Sequence, residues 1–467
     1  MRLSLGTLAG LALLALPANA LAAPAPQKAA HEKAVPGTLK QLRGARGCLV
    51  DSSVPARGCG TARALAGAGP FMGSRAVTVS PDGRNVYVAA SRANAVAVFR
   101  RNPKNGALGQ PSGAAGCVAA KGDDGCAGAV GLNGPNSVAV SANGRNVYVT
   151  SRGSNAVTAF QRNRSTGALR QIPGPGGCVA GVPLPGCATG TALLGPDVVV
   201  VSPDGANVYV GSFFGNAVAV FSRDGKTGAL SQPAGSAGCI AAAIAGCAPG
   251  IALGAPEGMA ISRNGAAVYV ASALSNAVVV LVRDPTTGAL AQATDGSGCI
   301  VDAPLTGCTT GLQLSGANAV ALSPDDGDVY VTSLFSNSVT SFNRTASTGS
   351  LAQKRGTGAC LVWLRSVGCS FGRALSSPEG LAVSPDGENV YAAAFASGAI
   401  DVLDRKRSGI VRQKPGRAGC VALRSVPGCT RGRALRGVSS IALSPDGRNV
   451  YATAFGSSAL DVFRRIR

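Results

Sequence analysis

The sequence predicts an all-β fold, a seven-bladed β-propeller of four-stranded antiparallel blades. Three observations carry this prediction: one motif recurs seven times, short apolar runs are punctuated by Gly and Pro, and the two ends of the chain complement each other. The protein has 467 residues, of which 65 are Gly and 27 are Pro, and it is 46% hydrophobic but only 14% charged. Such a composition excludes general disorder and favours many short strands over long helices.

The repeat is marked by the tyrosines, which all occupy one position of a motif of the type S-P-D-G-R-N-V-Y-V. Successive tyrosines are about 61 residues apart. Each motif joins two apolar runs through a Pro-Asp-Gly turn, which is typical of a hairpin, and a third run and a T-G-A-L-R-Q segment follow. Each unit therefore supplies four strands. The tyrosines are Tyr87, Tyr148, Tyr209, Tyr269, Tyr330, Tyr391 and Tyr451.

The chain ends indicate that the ring closes on itself. The seventh unit reaches Arg467 after only three strands, whereas Thr38–Gln41 aligns with the fourth-strand segment Ala168–Gln171. We therefore expect the N-terminal segment to complete blade seven. A linear β-solenoid is the main alternative, but its usual repeat is much shorter and it has no use for such closure.

The first residues resemble an export signal. Arg2 precedes an apolar run, Leu3–Leu16, and small residues up to Ala22 offer A-x-A cleavage sites. The run is short for a membrane span of about 20 residues, so a transmembrane anchor is the weaker alternative. We expect a secreted or otherwise extracytoplasmic protein without a transmembrane segment. The predicted segments are a signal peptide at 1–22, an Ala/Pro-rich linker at 23–36 that holds the one histidine, His31, and the propeller at 37–467.

The fourteen cysteines fall into seven pairs, one in each repeat. In an exported protein such a pattern predicts disulfides, and the short spacing favours pairing within each repeat over the other connectivities. Metal thiolate sites are the alternative. We expect each pair to staple the long connection between blades. The pairs are Cys48/Cys59, Cys117/Cys126, Cys178/Cys187, Cys239/Cys247, Cys299/Cys308, Cys360/Cys369 and Cys420/Cys429.

A set of polar residues is predicted where the inner strands begin, at the mouth of the central channel. Three carboxylates and two amides from different blades could hold a hard cation such as Ca²⁺, or orient the hydroxyls of a sugar. A crowded carboxylate could also act as a general base, with Arg75 stabilising an oxyanion. The alternative is that they only hydrate the channel. The predicted ligand-binding residues are Arg75, Asn136, Asp197, Glu257, Asn318, Glu379 and Ser439.

Beside this ring, the turns after the middle strands carry three aromatic residues. They could stack on sugar rings, although packing in the core is the commoner fate of Phe. The seven matching positions are Ser91, Arg152, Phe213, Ala273, Leu334, Phe395 and Phe455.

The net charge of +21 is unevenly distributed. Basic residues concentrate near the two ends of the propeller, at 38–104 and 405–467, which ring closure would make neighbours. A basic sector favours an anionic partner, such as a surface polymer or an acidic polysaccharide. Interleaved aromatics and a nucleic-acid motif are absent, so nucleic acid is not favoured. The alternative is a basic surface without a partner, and no oligomeric state is indicated.

The S-P-D-G and V-Y-V motifs resemble the YVTN-type repeats of seven-bladed propellers, a group that includes the lactonase-like propellers. The resemblance covers residues 37–467, although the family's Asn is replaced, as in YVTS and YVGS. It implies ring-opening hydrolysis of a sugar or muconate lactone, with His, Glu and Arg near the channel. Residues 37–467 contain no His, so no catalytic His can be carried over.

Two interpretations of function follow. The sequence favours a secreted, disulfide-stapled propeller that binds a ligand or surface and is not an enzyme, because Glu257 and Glu379 lie in closely similar P-E-G contexts, as structural residues would. The alternative is a lactonase-like hydrolase that uses the carboxylates at the channel mouth, with or without a divalent cation. No cofactor other than that cation is expected.

Overall fold

Seven antiparallel sheets follow one another around a ring in the computed structural model, which describes residues 35–68 and 76–467. The predicted seven-bladed β-propeller is confirmed. The predicted signal peptide, His31 and Arg75 lie outside the described residues. Within the described part of the chain, no helix is long and apolar enough to cross a membrane.

Three strands form the body of each blade. The inner strand lines the channel and pairs with the middle strand, which pairs with the third. The inner strands of blades 1 to 7 are Val77–Val79, Pro135–Val140, Pro196–Val201, Pro256–Ile261, Ala317–Leu322, Pro378–Val383 and Val438–Leu443. The middle strands are Asn85–Ala90, Asn146–Ser151, Asn207–Ser212, Ala267–Ser272, Asp328–Ser333, Asn389–Ala394 and Asn449–Ala454. The third strands are Ala95–Arg101, Ala156–Arg162, Ala217–Arg223, Ala277–Arg283, Ser338–Arg344, Ala399–Arg405 and Ala459–Arg465.

The outer part of each blade differs from the four-stranded prediction, because the fourth position is divided between two short strands. Both pair with the third strand, and a further short strand runs parallel to the second of them, so each sheet has six strands. The first outer strands are Leu108–Gly109, Leu169–Gln171, Leu230–Ser231, Leu290–Gln292, Leu351–Gln353, Val411–Gln413 and Leu39–Gln41. The second are Cys117–Ala119, Cys178–Ala180, Cys239–Ala241, Gly296–Val301, Cys360–Val362, Cys420–Ala422 and Cys48–Asp51. The parallel edge strands are Ala127–Gly128, Ala188–Thr189, Ala248–Pro249, Cys308–Thr310, Cys369–Phe371, Thr430–Arg431 and Gly60–Ala62.

Short 3₁₀ turns cause the division in most blades, since they bend the chain away from the third strand before it returns. In the described residues the 3₁₀ turns between the two outer strands are Gly44–Arg46, Gly113–Gly116, Pro175–Gly177, Gly235–Ala237, Gly356–Gly358 and Gly416–Gly419, and two others lie at Asp123–Gly125 and Phe455–Ser457.

Ring closure occurs as predicted. Leu39–Gln41 pairs antiparallel with Phe463–Arg465, and Cys48–Val50 pairs with Ala459–Asp461. The N-terminal part of the propeller thus supplies the outer strands of blade 7.

Seven disulfides join the cysteines within each repeat, as expected. Because all fourteen cysteines are paired in this way, no thiolate is left for the metal sites that were the alternative. Each short closed loop contributes about 2.5 to 3 kcal/mol of stability in the chain-entropy model. The bonds are Cys48–Cys59, Cys117–Cys126, Cys178–Cys187, Cys239–Cys247, Cys299–Cys308, Cys360–Cys369 and Cys420–Cys429.

The expected position of the cysteines in the connection between blades needs correction. The first cysteine of each pair lies in the second outer strand, and Cys308 and Cys369 begin edge strands, so these nine residues belong to the sheets. The bond between an outer strand and an edge strand therefore staples two strands of one blade together. The expected loop position holds for the residues that directly precede an edge strand, which are Cys59, Cys126, Cys187, Cys247 and Cys429.

The tyrosines that mark the repeat form the contacts between blades, and all seven are fully buried. The hydroxyl of Tyr209 in blade 3 accepts a hydrogen bond from Arg283 Nε of blade 4 at 2.8 Å and donates one to the carbonyl of Gly288 at 2.8 Å. Arg283 also donates to Asp204 and Asn207 of blade 3. The same Arg–Tyr bond, 2.6 to 3.0 Å long, recurs at every blade junction, including the one between blades 7 and 1.

We predict that Arg283→Leu lowers the free energy of unfolding by about 3 kcal/mol, because it leaves Tyr209 and Asn207 buried without their donor. Guanidinium denaturation with the disulfides intact measures this change. The exposed Arg263, which forms no ion pair among the described residues, provides the control. An Arg263→Leu variant that is equally destabilised would contradict the role given to the Arg–Tyr bond between blades.

We also predict a steep loss of stability above about pH 10. Burial raises the pKa of Tyr148, Tyr209 and Tyr269 to about 12, against the opposing effect of the neighbouring arginines. The unfolded chain releases tyrosine protons near pH 10 while the folded protein retains them, so stability falls as pH rises through this window. Tyrosinate absorbance measured alongside circular dichroism should show ionisation and unfolding together. Ionisation near pH 10 in a protein that stays folded would contradict the prediction.

Candidate functional site

The predicted channel-mouth residues of blades 2 to 7 occupy one structural position, the second residue of the inner strand. At this point the strand register slips by one residue, so the polar residue bulges out of the ladder; Asn136, for example, lies between the paired residues Pro135 and Ser137. The slip recurs in blades 2 to 7. A bulge redirects a side chain without interrupting the sheet, which explains why one position of each blade can present a polar group to the channel.

These residues are buried rather than hydrated at an open mouth. Asn136 is 7% exposed, and Asp197, Glu257, Asn318, Glu379 and Ser439 are each 3% exposed or less. Further along the inner strands the side chains that line the channel are mainly apolar, and they surround a cavity of about 430 Å³ with residues such as Val138, Val200 and Ile441.

Asp197 of blade 3 is held by two side chains of blade 2. Its Oδ1 accepts a hydrogen bond from Asn136 Nδ2 at 2.5 Å and lies 2.7 Å from a guanidinium nitrogen of Arg152. The aspartate side chain is fully buried, whereas that of Arg152 is 26% exposed. Because Arg152 offers a compensating positive charge, Asp197 is the acid of the group best placed to carry a negative charge.

The two glutamates lie within electrostatic reach of Asp197 and of each other. Burial, reinforced by Asp197, raises the pKa of Glu257 to about 8. Burial together with Glu257 and Asp197 raises the pKa of Glu379 well above its ordinary value. Burial also raises the pKa of Asp197, although Arg152 and Asn136 oppose the shift. We call Asp197, Glu257, Glu379 and Arg152 the acid cluster. Within it, Arg152 favours the ionised form of Asp197, whereas burial favours the protonated forms of Glu257 and Glu379.

Several polar atoms at the ring have no hydrogen-bond partner within the described structure. Asn318 uses its Oδ1, which accepts from Thr332 at 2.9 Å, but its Nδ2 has no acceptor. The others without a partner are Asp197 Oδ2, Glu379 Oε2 and Ser439 Oγ. Buried polar groups are normally satisfied by protein, water or ligand, and each unmet group costs about 1 to 3 kcal/mol. Four such atoms from four blades therefore require water or a polar ligand at the ring.

Arg152 is the site residue whose role the sequence analysis missed. The sequence places it only among the turn positions and assigns oxyanion stabilisation to Arg75, which lies outside the described residues. The guanidinium of Arg152 lies 4.6 Å from the centre of the Phe213 ring and 5.6 Å from that of Phe214. A basic residue directly after the middle strand was the signal available. Arg152 belongs to blade 2 and Phe213 to blade 3, whereas Glu257 belongs to blade 4.

The aromatic positions serve mainly to support neighbouring side chains. Phe213 lies beneath Arg152, and Phe455 is 8% exposed beneath the guanidinium of Arg92 at 4.4 Å. Phe395 is half-buried and lies close to Gly437. The structure therefore leaves little of these rings free to stack on a sugar, and packing is the better description.

Steric crowding explains why each P-E-G segment contains a glycine. A Cβ on Gly258 would lie 2.5 Å from the carbonyl oxygen of Asn318, and one on Gly380 would lie 2.7 Å from that of Ser439. Adjacent inner strands therefore approach so closely after each glutamate that only glycine fits. In the sequence analysis, the similar P-E-G contexts of Glu257 and Glu379 favoured a structural role for these glutamates. The need for glycine next to each glutamate accounts for part of this similarity.

Ca²⁺ binding at the channel mouth stays a prediction, and Arg152 of the acid cluster opposes it. Arg152 already occupies Asp197 and would repel a cation, and the described residues contain no group of three His, Cys, Asp or Glu side chains able to hold a metal ion.

Comparison with known proteins supports a lactonase-like propeller. Residues 184–304 and 254–363 match the family model described as "Lactonase, 7-bladed beta-propeller", which confirms the resemblance over the central blades. No curated protein matches the chain.

Solved structures share the fold at low sequence identity. A candidate 6-phosphogluconolactonase from Bacteroides uniformis is 18% identical, with a TM-score of 0.52 over 79% of this chain and 88% of its own. A periplasmic gluconolactonase from Pseudomonas aeruginosa is 21% identical, with a TM-score of 0.50 over 76% and 85%. A hydrazine synthase from Kuenenia stuttgartiensis is 17% identical, also at 0.50, over 85% and 98%. Such likeness establishes the fold and not the chemistry.

We predict that Glu257→Gln stabilises the protein increasingly as pH rises from about 4.5 to 8. Over this window the unfolded chain loses the Glu257 proton while the folded protein keeps it, so the unmodified protein loses stability as pH rises. Glutamine does not ionise, so the variant lacks this pH dependence of the free energy of unfolding. Thermal unfolding across the window measures the difference between the variant and the unmodified protein. The control is Glu388→Gln, at a side chain that is 67% exposed. A difference that does not change with pH would contradict the buried, protonated state of Glu257.

Proposed function

We propose that this lactonase-like propeller hydrolyses an uncharged sugar lactone at the acid cluster. The observation that carries the proposal is the convergence of buried polar atoms without partners, Asp197 Oδ2 and Glu379 Oε2 among them, in a group of acids whose pKa values burial raises. The family resemblance and the gluconolactonase among the structural neighbours support it. These findings favour the hydrolase over the non-catalytic interpretation that the sequence alone favoured.

The chemistry assigns different roles to the acids. Asp197, as a carboxylate, takes a proton from the attacking water while the oxygen of that water bonds to the lactone carbonyl carbon. Glu257, protonated at neutral pH, donates its proton to the ring oxygen as the bond from that oxygen to the carbonyl carbon breaks. The product is a hydroxy acid, and the proton on Asp197 then returns to Glu257. Pairs of acids with separated pKa values are suited to such a division of roles.

The remaining groups bind and orient the substrate in this proposal. Arg152 holds Asp197 in place and keeps it ionised, and Glu379 and Asn318 provide a protonated acid and an amide for sugar hydroxyls. An anionic substrate would meet the negative charge of Asp197 in a buried site, which favours an uncharged lactone.

We further propose that the protein works outside the cytoplasm. Its seven disulfides are typical of proteins that fold in an oxidising compartment. The export signal predicted for residues 1–22 is consistent with this location. Detection of the mature chain outside the cytoplasm, beginning near residue 23, is the direct check.

Binding of a sugar without turnover is the second candidate function. The absence of His from residues 37–467 favours it, because His is the commonest general base and acid in hydrolysis. Both candidates place the ligand at the acid cluster.

We predict enzyme-dependent hydrolysis of an aldonolactone such as glucono-1,5-lactone, followed as proton release against the spontaneous rate. Asp197→Asn should lower kcat by about 100-fold or more, the usual contribution of a general base. Glu257→Gln should reduce kcat similarly and remove the loss of activity that ionisation near pH 8 causes in the unmodified enzyme.

The controls separate catalysis from folding and binding. Glu388→Gln, at an exposed side chain, should leave kcat unchanged, and thermal unfolding shows whether each variant is folded. Binding measured by calorimetry without turnover would support the non-catalytic candidate and overturn the hydrolase. Equal turnover by folded Asp197→Asn would also overturn it.

A further inference from the structure

The junction of blades 7 and 1 contains a basic groove that lies outside the acid cluster. Its volume is about 520 Å³, and five of its lining side chains are cationic: Lys40, Arg43, Arg46, Lys104 and Arg464. The others are Gln41, Leu42 and Asn105, so no acidic and no aromatic residue lines it. All five cationic residues are exposed, and none of them forms an ion pair with another described residue.

Two of these cations face each other across paired strands. Lys40 on the first outer strand lies directly opposite Arg464 on the third strand. Like charges at directly opposed positions destabilise a sheet. The sequence of blade 7 therefore maintains a local repulsion that the fold does not need.

The other blades show that this repulsion is specific to blade 7. At the same pair of positions, blade 6 has the oppositely charged Asp404 and Arg412, and blade 2 has Gln161 hydrogen-bonded to Arg170. In the four remaining blades no matching pair joins two cations.

Blade 3 provides the same backbone without the charges. Ser231 and Ser222 replace Lys40 and Arg464, and Ala234 and Ala237 stand where blade 7 has Arg43 and Arg46. Blade 3 still forms both outer strands and the 3₁₀ turn between them. The four cations of blade 7 are therefore not required to build this edge, and their concentration calls for another explanation.

The backbone of the groove is fixed in advance. Arg433 donates hydrogen bonds to the carbonyls of Leu42 and Gly44, and Gln41 Nε2 donates to the carbonyl of Gly47 at 3.0 Å and to Asp461 at 2.9 Å. A fixed backbone lowers the entropy that binding would otherwise cost.

We propose that this groove binds an acidic polysaccharide. Anionic groups spaced along the polymer would relieve the repulsion between Lys40 and Arg464, and the three arginines offer planar forks for carboxylate or sulfate groups. A concave site without aromatic residues lacks the stacking surface that single-stranded nucleic acid uses. This site is independent of the acid cluster and of the proposed hydrolysis.

The test compares polymers of different charge and chemistry on the mature, disulfide-bonded protein. Polygalacturonate should bind at low ionic strength and dissociate as salt is added, whereas neutral dextran should not bind. A variant that copies blade 3 into the groove, K40S/R43A/R46A/R464S, should bind polygalacturonate at least tenfold more weakly.

A matched variant controls for net charge. It removes four exposed arginines outside the groove, and its affinity should change by less than threefold. The substitutions are R84S, R145S, R164S and R448S.

Three results would overturn the proposal. The groove variant could bind as tightly as the unmodified protein, or the two variants could lose affinity equally, which would leave only general charge attraction. An oligothymidine could bind the groove more tightly than polygalacturonate, which would make nucleic acid the partner. Thermal unfolding should show that the groove variant is folded and no less stable than the unmodified protein, because the substitutions relieve the repulsion between Lys40 and Arg464, and any lactonase activity should remain unchanged.

Discussion

The structure depends on the buried Arg–Tyr contact between consecutive blades. Each blade contributes a tyrosine on its middle strand and an arginine on its third strand, and each arginine reaches back to the tyrosine of the preceding blade, as Arg283 does to Tyr209. A guanidinium buried in this way needs acceptors for its donors, and at most junctions the phenol is joined by an asparagine or aspartate side chain of the preceding blade. The contact therefore fixes both the spacing and the rotation between neighbouring sheets.

Ring closure uses the same contact. Arg101 of blade 1 donates to Tyr451 of blade 7 at 2.9 Å, although the two residues are 350 positions apart in the sequence. No special interface is needed where the ends meet, because the N-terminal strands place an ordinary seventh blade against the first. Among the described residues, the outer surface of this junction is distinguished by the meeting of Lys40, Lys104 and Arg464.

The acid cluster is a consequence of this fixed ring. The Arg–Tyr contacts hold the inner strands around one axis, and in blades 2 to 7 a bulge at the second residue of the inner strand places a polar side chain in the buried ring. Acids that are far apart in sequence, Asp197, Glu257 and Glu379, thereby share one desolvated region. Burying them lowers stability, and groups that are retained at such a cost are frequently functional.

The sequence predicts the positions of these acids because the fold is repetitive: seven tyrosines at one spacing determine the blades, and the same register locates the bulged residues. It does not predict their burial, which depends on how closely adjacent inner strands approach, as they do at Gly258. The ion pair between Arg152 and Asp197 of the next blade likewise could not be predicted from the positions of the two residues in the sequence. The division of the outer strand is also missed, since a 3₁₀ turn leaves only a weak signal in short Gly-rich segments.

We expect the two buried glutamates to remain protonated at neutral pH beside Asp197, whose ionised form Arg152 favours. The protein contains four glutamates, so labelling their carboxyl carbons with ¹³C yields a spectrum simple enough to follow through a pH titration. The Glu257→Gln and Glu379→Gln variants assign the two signals. We expect both to keep the chemical shift of a protonated acid up to pH 7, with Glu257 ionising near pH 8. If both signals have already moved to the carboxylate position by about pH 5, where an ordinary glutamate ionises, the account of the acid cluster is wrong.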